Sequence, residues 1–387
     1  MNAGGDAVAS PSPYAAELHS AVTAAVATIS EAVASLPLGV FRLDAAGDRE
    51  EARFHPVARL FAGHANEWQS GFELVELLTS WALLWGYGAA EIIRDARGAV
   101  TALNPIHPSH MTTERLASGR LRFRVSDPAG GPTRILLQDE LFIIRDRVDG
   151  ADGLFTGRSR LSRAREAVAN ALQAERYAGA VFSNGAAIGG VLEHPGELGG
   201  DAAARIRADF DSFVGTGAAG RTIVLEEDMH FKPIAAKPDE AQALESRRFS
   251  VEAIARIFRI PPVLLGDLTN ANYSNSVELA RQFATFTLRP WLTRWERTIE
   301  LSLFSEATRS QFVAEFDTDL LVRTNILERW QAYRLMRETG GASANEIRRW
   351  ENIPRRTDPE GDAYFSPANM QGEQTGRPRG DRGEASP

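Results

Sequence analysis

Apolar and polar positions along this chain follow two different periods, and the places where the period changes divide it. From about residue 16 to 90 the pattern is mainly helical, with Phe72–Trp85 a strongly apolar segment. Between Ala90 and Arg145, short alternating runs set off by turn residues predict strands at Glu91–Arg94, Leu121–Val125, Ile135–Leu137 and Leu141–Ile144. The helical period returns over Ser159–Ser183, where Leu161, Ala164, Val168, Ala171, Leu172, Ala178 and Phe182 fall at steps of three and four. Asn184-Gly185 stops that helix, as expected where the backbone must turn left-handed. Residues 186–237 read as an α+β excursion. It has strands at Ile188–Leu192, Thr222–Glu226 and Phe231–Ile234, and a helix near Asp201–Val214.

The most informative stretch follows. A helix begins behind Pro238, with Leu244, Val251, Ile254 and Phe258 as its apolar seam, and runs to Pro261-Pro262. A polar loop, Leu268–Asn275, comes next. Connections usually span about 4–6 residues, and an uncovered loop of roughly 15 is usually functional. Asn275 with Glu278 three residues on resembles a capping box. The helix it starts carries Pro290, which is expected to kink it by removing a backbone donor. Phe312–Leu321 reads as a strand, and Asn325–Thr339 and Asn345–Trp350 as closing helices. The chain has no internal repeat, and residues 1–15 and 366–387 have the composition of disordered tails.

Composition narrows the function. A hydrophobic content of 43% and a charged content of 24% suit a globular protein with a sizeable core. The absence of cysteine excludes disulfides, thiolate metal sites and a Cys nucleophile. Lysine occurs only at Lys232 and Lys237, and neither follows a glycine, so there is no phosphate loop of the Gly-Lys-Ser/Thr kind. A net charge of −8 opposes general affinity for nucleic acid, which depends on Lys/Arg displacing counterions. Leu77–Ala90 is uncharged but shorter than the ~20 residues that cross a bilayer, so no membrane span is expected.

Candidate chemistry is sparse. Gly215–Gly220 matches GxGxxG, but a helix precedes it and a strand follows, the reverse of the order a dinucleotide site needs. His107 and His110 lie between prolines and read as a turn, not as a helical metal pair. Asp317 and Asp319 share a strand face without a third ligand, so a solvated strand end is the better reading. Glu226, Glu227 and Asp228 read as a solvated hairpin end, because no nucleophile accompanies them. No catalytic, cofactor or metal site is expected.

Seven segments, taken in order, resemble the portal proteins of tailed double-stranded-DNA phages and of phage-like gene transfer agents. They are Gly86-Tyr-Gly-Ala-Ala-Glu91, Leu103-Asn-Pro-Ile-His-Pro108, Asp152-Gly-Leu-Phe-Thr-Gly157, Asn184 to Leu192, Ile254 to Gly266, Asn272-Tyr-Ser-Asn275 and Thr287-Leu-Arg-Pro290. The chain departs from the usual pattern near Asn325, where an acidic residue would be expected. The resemblance implies an α+β portal fold assembled as a ring, usually of about twelve subunits around a DNA channel. Residues 16–158 would form a wing and 159–185 and 238–262 two stem helices, with 186–237 a clip between them. Residues 263–276 would be a tunnel loop, 277–322 a kinked helix returning to the wing, and 323–365 a crown inside the head.

The DNA-facing residues would then be Thr269, Asn270, Asn272, Tyr273, Ser274 and Asn275, and the docking surface Glu226, Glu227 and Asp228. Implied partners are other copies of the chain, the DNA, the packaging terminase, the major capsid protein and a head-completion or tail adaptor. The implied location is the portal vertex of a virion or phage-like particle, with assembly in the host cytoplasm. Two other readings stay open from the residues: a ring-shaped adaptor that conducts no DNA, and a nucleotide-binding enzyme using Gly215–Gly220.

Overall fold

A computed structural model describes residues 12–44, 49–148, 155–183, 190–196, 204–206, 208, 229–233, 240–267, 276–318, 326–351 and 353–365. The chain forms two compact units, one ending at Asp317 and one beginning at Thr318.

The first unit opens with helices α1 (Pro13–Glu17) and α2 (Ser20–Ala34). Strands β1 (Leu38–Leu43) and β2 (Arg49–Glu51) follow, then helices α3 (Pro56–Ala62) and α4 (Gly71–Trp85). The apolar run ending at Trp85 is helical as expected. Ser70 starts α4 by accepting the Glu73 N–H, while the Glu73 carboxylate accepts the Ser70 N–H, and Gly86 ends it at φ +96°. α2 packs on α4, and its buried residues Val22, Val26, Ile29 and Val33 form a helical stripe. β1 corrects the mainly helical reading of residues 16–90. Its strand character is completed by pairing with a partner almost three hundred residues away, which no local period reports.

Two antiparallel three-stranded sheets come next. Strand β3 (Tyr87–Arg94) lies between β4 (Val100–Ile106) and β8 (Leu141–Arg145), and β6 (Leu121–Val125) lies between β5 (Met111–Arg115) and β7 (Arg134–Leu137). They share a core containing Ala89, Ile106, Met111, Phe123, Leu141 and Ile143. All four expected strands in this region are present. β4 and β5 were not anticipated: β4 contains Asn104 and Pro105, the latter tolerated because this is an edge strand. In β5 only Met111 is buried.

The expected Ser159–Ser183 helix is two helices, α5 (Arg160–Arg163) and α6 (Arg165–Ser183). Ala164 leaves helical geometry at φ −111° and ψ 29°, so the first turn, capped by Ser159, stands apart. Strands β9 (Gly190–Glu193) and β10 (His230–Pro233) pair antiparallel, each shifted slightly from its expected span. Residues 204–206 and 208 are helical, while the Thr222–Glu226 strand lies outside the described residues. Helix α7 (Glu240–Phe258) packs against α6 and α2; Ile254, Ala255 and Phe258 are buried on it, as are Val168, Ala171 and Leu172 on α6.

Pro290 does not sit in the middle of a continuous α-helix. The segment is α8 (Ser276–Gln282), a wide π turn at Phe283–Leu288, and α9 (Arg289–Ser302). The Arg289 N–H reaches back five residues to the Ala284 carbonyl, and Pro290 occupies the first turn of α9, where a missing donor costs little. Beneath it, Trp291, Leu292, Trp295 and Ile299 are buried, and Trp295 Nε1 donates to Thr79 Oγ1 at 3.0 Å. Strand β11 (Phe312–Phe316) then pairs with β1 and ends short of the expected Leu321, and residues 319–325 lie outside the described ones.

The second unit contains helices α10 (Ile326–Glu338) and α11 (Ala344–Trp350). Ser343 and Glu346 form the capping box that starts α11. Arg329 and Tyr333 of α10 both bond Glu351, which follows α11.

Candidate functional site

Thr269, Asn270, Asn272, Tyr273, Ser274 and Asn275 lie outside the described residues, as do Glu226, Glu227, Asp228, Gly215–Gly220 and Asp319. What the structure shows is the frame that holds the two ends of the 268–275 segment.

On the incoming side, α7 ends at Phe258 and Arg259 takes a left-handed φ of 60°. The Ile260 N–H closes back on the Ala255 carbonyl, and Pro261 leads into a tight 3-10 turn at Pro262–Leu265. Gly266, at φ 88°, closes that turn, and the Asp267 N–H bonds the Pro262 carbonyl at 3.2 Å. The segment therefore departs from a closed, proline-stiffened turn. On the outgoing side, the Thr287 hydroxyl in the π turn donates to the Arg259 carbonyl, tying the bases of the two arms together.

Beneath them Arg160 joins three elements. Its Nε and Nη2 donate to the two Asp146 oxygens at 2.9 and 3.2 Å, and its Nη1 donates to the Phe258 carbonyl at 2.8 Å. Its guanidinium also lies 5.8 Å from the Trp291 ring centre. The Asp146 side chain is 2% exposed and that of Arg160 15%, so the bidentate pair is desolvated and fixed in direction. Arg294 lies over the same indole at 4.9 Å. Burial lowers the pKa of Arg294; Asp146 opposes that shift, while Arg160 and Arg259 add to it. The guanidinium stays charged.

Glycine makes this approach possible at two points. A Cβ on Gly86 would lie 2.7 Å from the Ser159 nitrogen, and one on Gly157 would lie 2.5 Å from the Gly86 carbonyl oxygen. Both have positive φ, so any other residue would be strained as well as crowded.

His107 and His110 fall in a turn, as their prolines suggested. His107 Nδ1 accepts the Ser109 N–H, and its ring sits among Tyr14, Trp81 and Trp85. Its pKa is lowered by burial and then by His110. Among the described residues no group of three His, Asp or Glu is placed to hold a metal ion, and no helix is long and apolar enough to cross a membrane. The Asp317 N–H bonds the Pro37 carbonyl, extending the β1–β11 pairing.

A family model described as phage portal protein matches residues 20–352. The chain belongs to that family. It is 33% identical to the probable portal protein of Streptomyces phage phiC31 over 92% of this chain and 79% of that one. It is 28% identical to the portal protein of Enterobacteria phage HK97 over 87% of this chain and 78% of that one. Among solved structures it is similar to chains in the neck of gene transfer agent particles. In an empty-particle neck computed with C6 symmetry the TM-score is 0.58 at 26% identity, covering 85% of this chain and 89% of the other. In a native-particle neck computed with C12 symmetry the TM-score is 0.56 at 23% identity, covering 86% and 90%.

The portal-family segments now have a physical meaning. Four of the stretches that carried the resemblance meet at this frame: Gly86 and Gly157 touch, the Ile254–Gly266 stretch supplies the turn, and Thr287 and Pro290 close it. Sequence reasoning missed Asp146, Arg160, Trp291 and Arg294. Asp146, Arg160 and Arg294 are single charged residues with no pattern that reports burial, while Trp291 belongs to the apolar stripe Trp291–Trp295–Ile299, whose spacing shows a buried face but not what it packs on.

Proposed function

We propose that this chain is the subunit of a ring of about twelve copies that forms the channel at one capsid vertex, through which double-stranded DNA is packaged and later ejected. The observation that supports this best is the frame: a polar segment is held by two helical arms whose bases are locked through Arg160, Phe258 and Thr287. A loop that meets moving DNA needs anchors that do not move with it. The family membership and the likeness to neck chains of gene transfer agent particles support a place in a phage-like particle.

In this reading the 16–158, stem, clip, tunnel-loop and crown assignments stand as set out above. Thr269, Asn270, Asn272, Ser274 and Asn275 are neutral and polar, and Tyr273 adds one aromatic ring. Such groups touch phosphate or sugar without the counterion release that makes Lys/Arg contacts adhesive. The chain is not itself an enzyme here; a separate terminase consumes ATP and docks at the clip, followed by the adaptor, while the capsid protein meets the ring's outer side. Between Val191 and Glu245 there are eleven acids and five bases, a net of −6. Complementary charge of that kind mainly sets association rate. Reversing Glu226, Glu227 and Asp228 to Arg is expected to slow terminase binding at low salt with rings intact; unchanged kinetics would remove the clip from this role.

Shortening Ala271–Tyr273 tests the loop. Rings should assemble and the terminase should dock, while packaged DNA length or its retention falls. Full-length genomes filled and kept at the normal rate would show that the loop takes no part in transport.

A further inference from the structure

The second unit is incompletely buried on two opposite sides. At about 100° per residue, Trp330, Tyr333, Arg334 and Arg337 fall within one sector of α10 roughly 100° wide, and Leu335 and Met336 flank the opposite direction. The first sector faces an open groove of about 670 Å³ lined by Trp330, Tyr333, Arg334, Arg337, Ile347 and Phe365. Trp330 is 46% exposed and Phe365 52%. On the far side Leu335 is 62% and Met336 45% exposed. None of the described α10 side chains is fully buried, and a 13-residue helix gains little stability in water without packing.

The Arg337 guanidinium stacks 4.5 Å from the Phe365 ring centre, and both residues line this groove.

We propose that these are the two halves of one contact: Leu335 and Met336 of one copy seat in the Trp330–Ile347–Phe365 groove of the next. The two surfaces lie on opposite sides of one helix, so a single chain cannot bring them together. They satisfy each other only between copies, head to tail, which is the heterologous arrangement that closes a ring. The inference rests on the ring reading above, which already sets identical units side by side. An unrelated partner would cover one surface and leave its opposite bare.

The chain has no cysteine, so Leu335→Cys with Phe365→Cys introduces the only two thiols. Assembled rings of this variant, treated with a short bis-maleimide and run under denaturing conditions, should give a ladder from dimer up to the complete ring. Each single variant should stay largely monomeric. Monomers or dimers alone from assembled double-variant rings would overturn the contact while leaving the ring reading intact. Absence of rings from the unmodified chain would overturn both. If the double variant does not assemble, Leu335→Cys alone still decides: its thiol should resist a maleimide in rings and react in dissociated subunits, and equal reactivity in the two states would overturn the proposal.

Discussion

At the scale of single residues, Arg160 is the side chain on which most depends. It neutralises a carboxylate that is almost wholly buried, and it also holds the last carbonyl of α7. Removing one member of a buried pair strands the other, at a cost of about 3–5 kcal/mol. Arg160→Ala should therefore lower stability by that order in urea unfolding. A loss below about 1 kcal/mol, the range of exposed pairs, would mean that the frame is held mainly by Trp291, Phe258 and their apolar neighbours. Neither Arg160 nor Asp146 stood out in the sequence, because a guanidinium among so many arginines says nothing of burial. The partner that gives it meaning is 14 residues away in sequence.

At the scale of elements, three helical or 3-10 turns begin in the same unusual way. His19, His55 and His107 each stand at the N-cap, and each accepts the N–H two residues on through Nδ1, from Ala21, Val57 and Ser109. A protonated Nδ1 cannot accept, so protonation and capping exclude each other. Burial lowers the pKa of all three below the usual histidine value of about 6.5; Glu175 opposes this at His19, and His110 reinforces it at His107. The folded state then binds fewer protons than the unfolded one. Stability is full above about pH 6.5 and is lost as pH falls through the lowered folded values.

Glu296, whose pKa burial raises, acts in the opposite sense, while Glu73, Glu114 and Glu346 are held below the ordinary carboxylate range and matter only at more acidic pH. The urea midpoint should therefore fall between about pH 7.5 and 5.5, by the order of ~1 kcal/mol for each lost cap. A flat profile would contradict the capping role. Elements with strong periods or caps were legible in sequence: α4, α7 and β6 appear where expected. β1 was not, since its partner is remote. The π turn was not either, because Pro290 signals a missing donor without saying how the backbone absorbs it.

At the scale of the whole molecule, exposed apolar side chains recur on surfaces that one subunit does not cover. Phe249 is 64% exposed on α7, Phe286 63% in the π turn and Leu301 64% on α9. Single exposed apolar residues are ordinary, and only a contiguous patch marks an interface. The family and the ordered segments that carry it were legible in the chain, and the match over residues 20–352 bears them out. The frame was not, because it is assembled from residues that meet only after folding. The ring is tested by the mass of the purified chain in solution, by native mass spectrometry with electron microscopy of the same sample. A closed ring of about twelve 42.2 kDa subunits with an open axial channel is expected. Monomers or dimers alone, across micromolar concentrations, would contradict it.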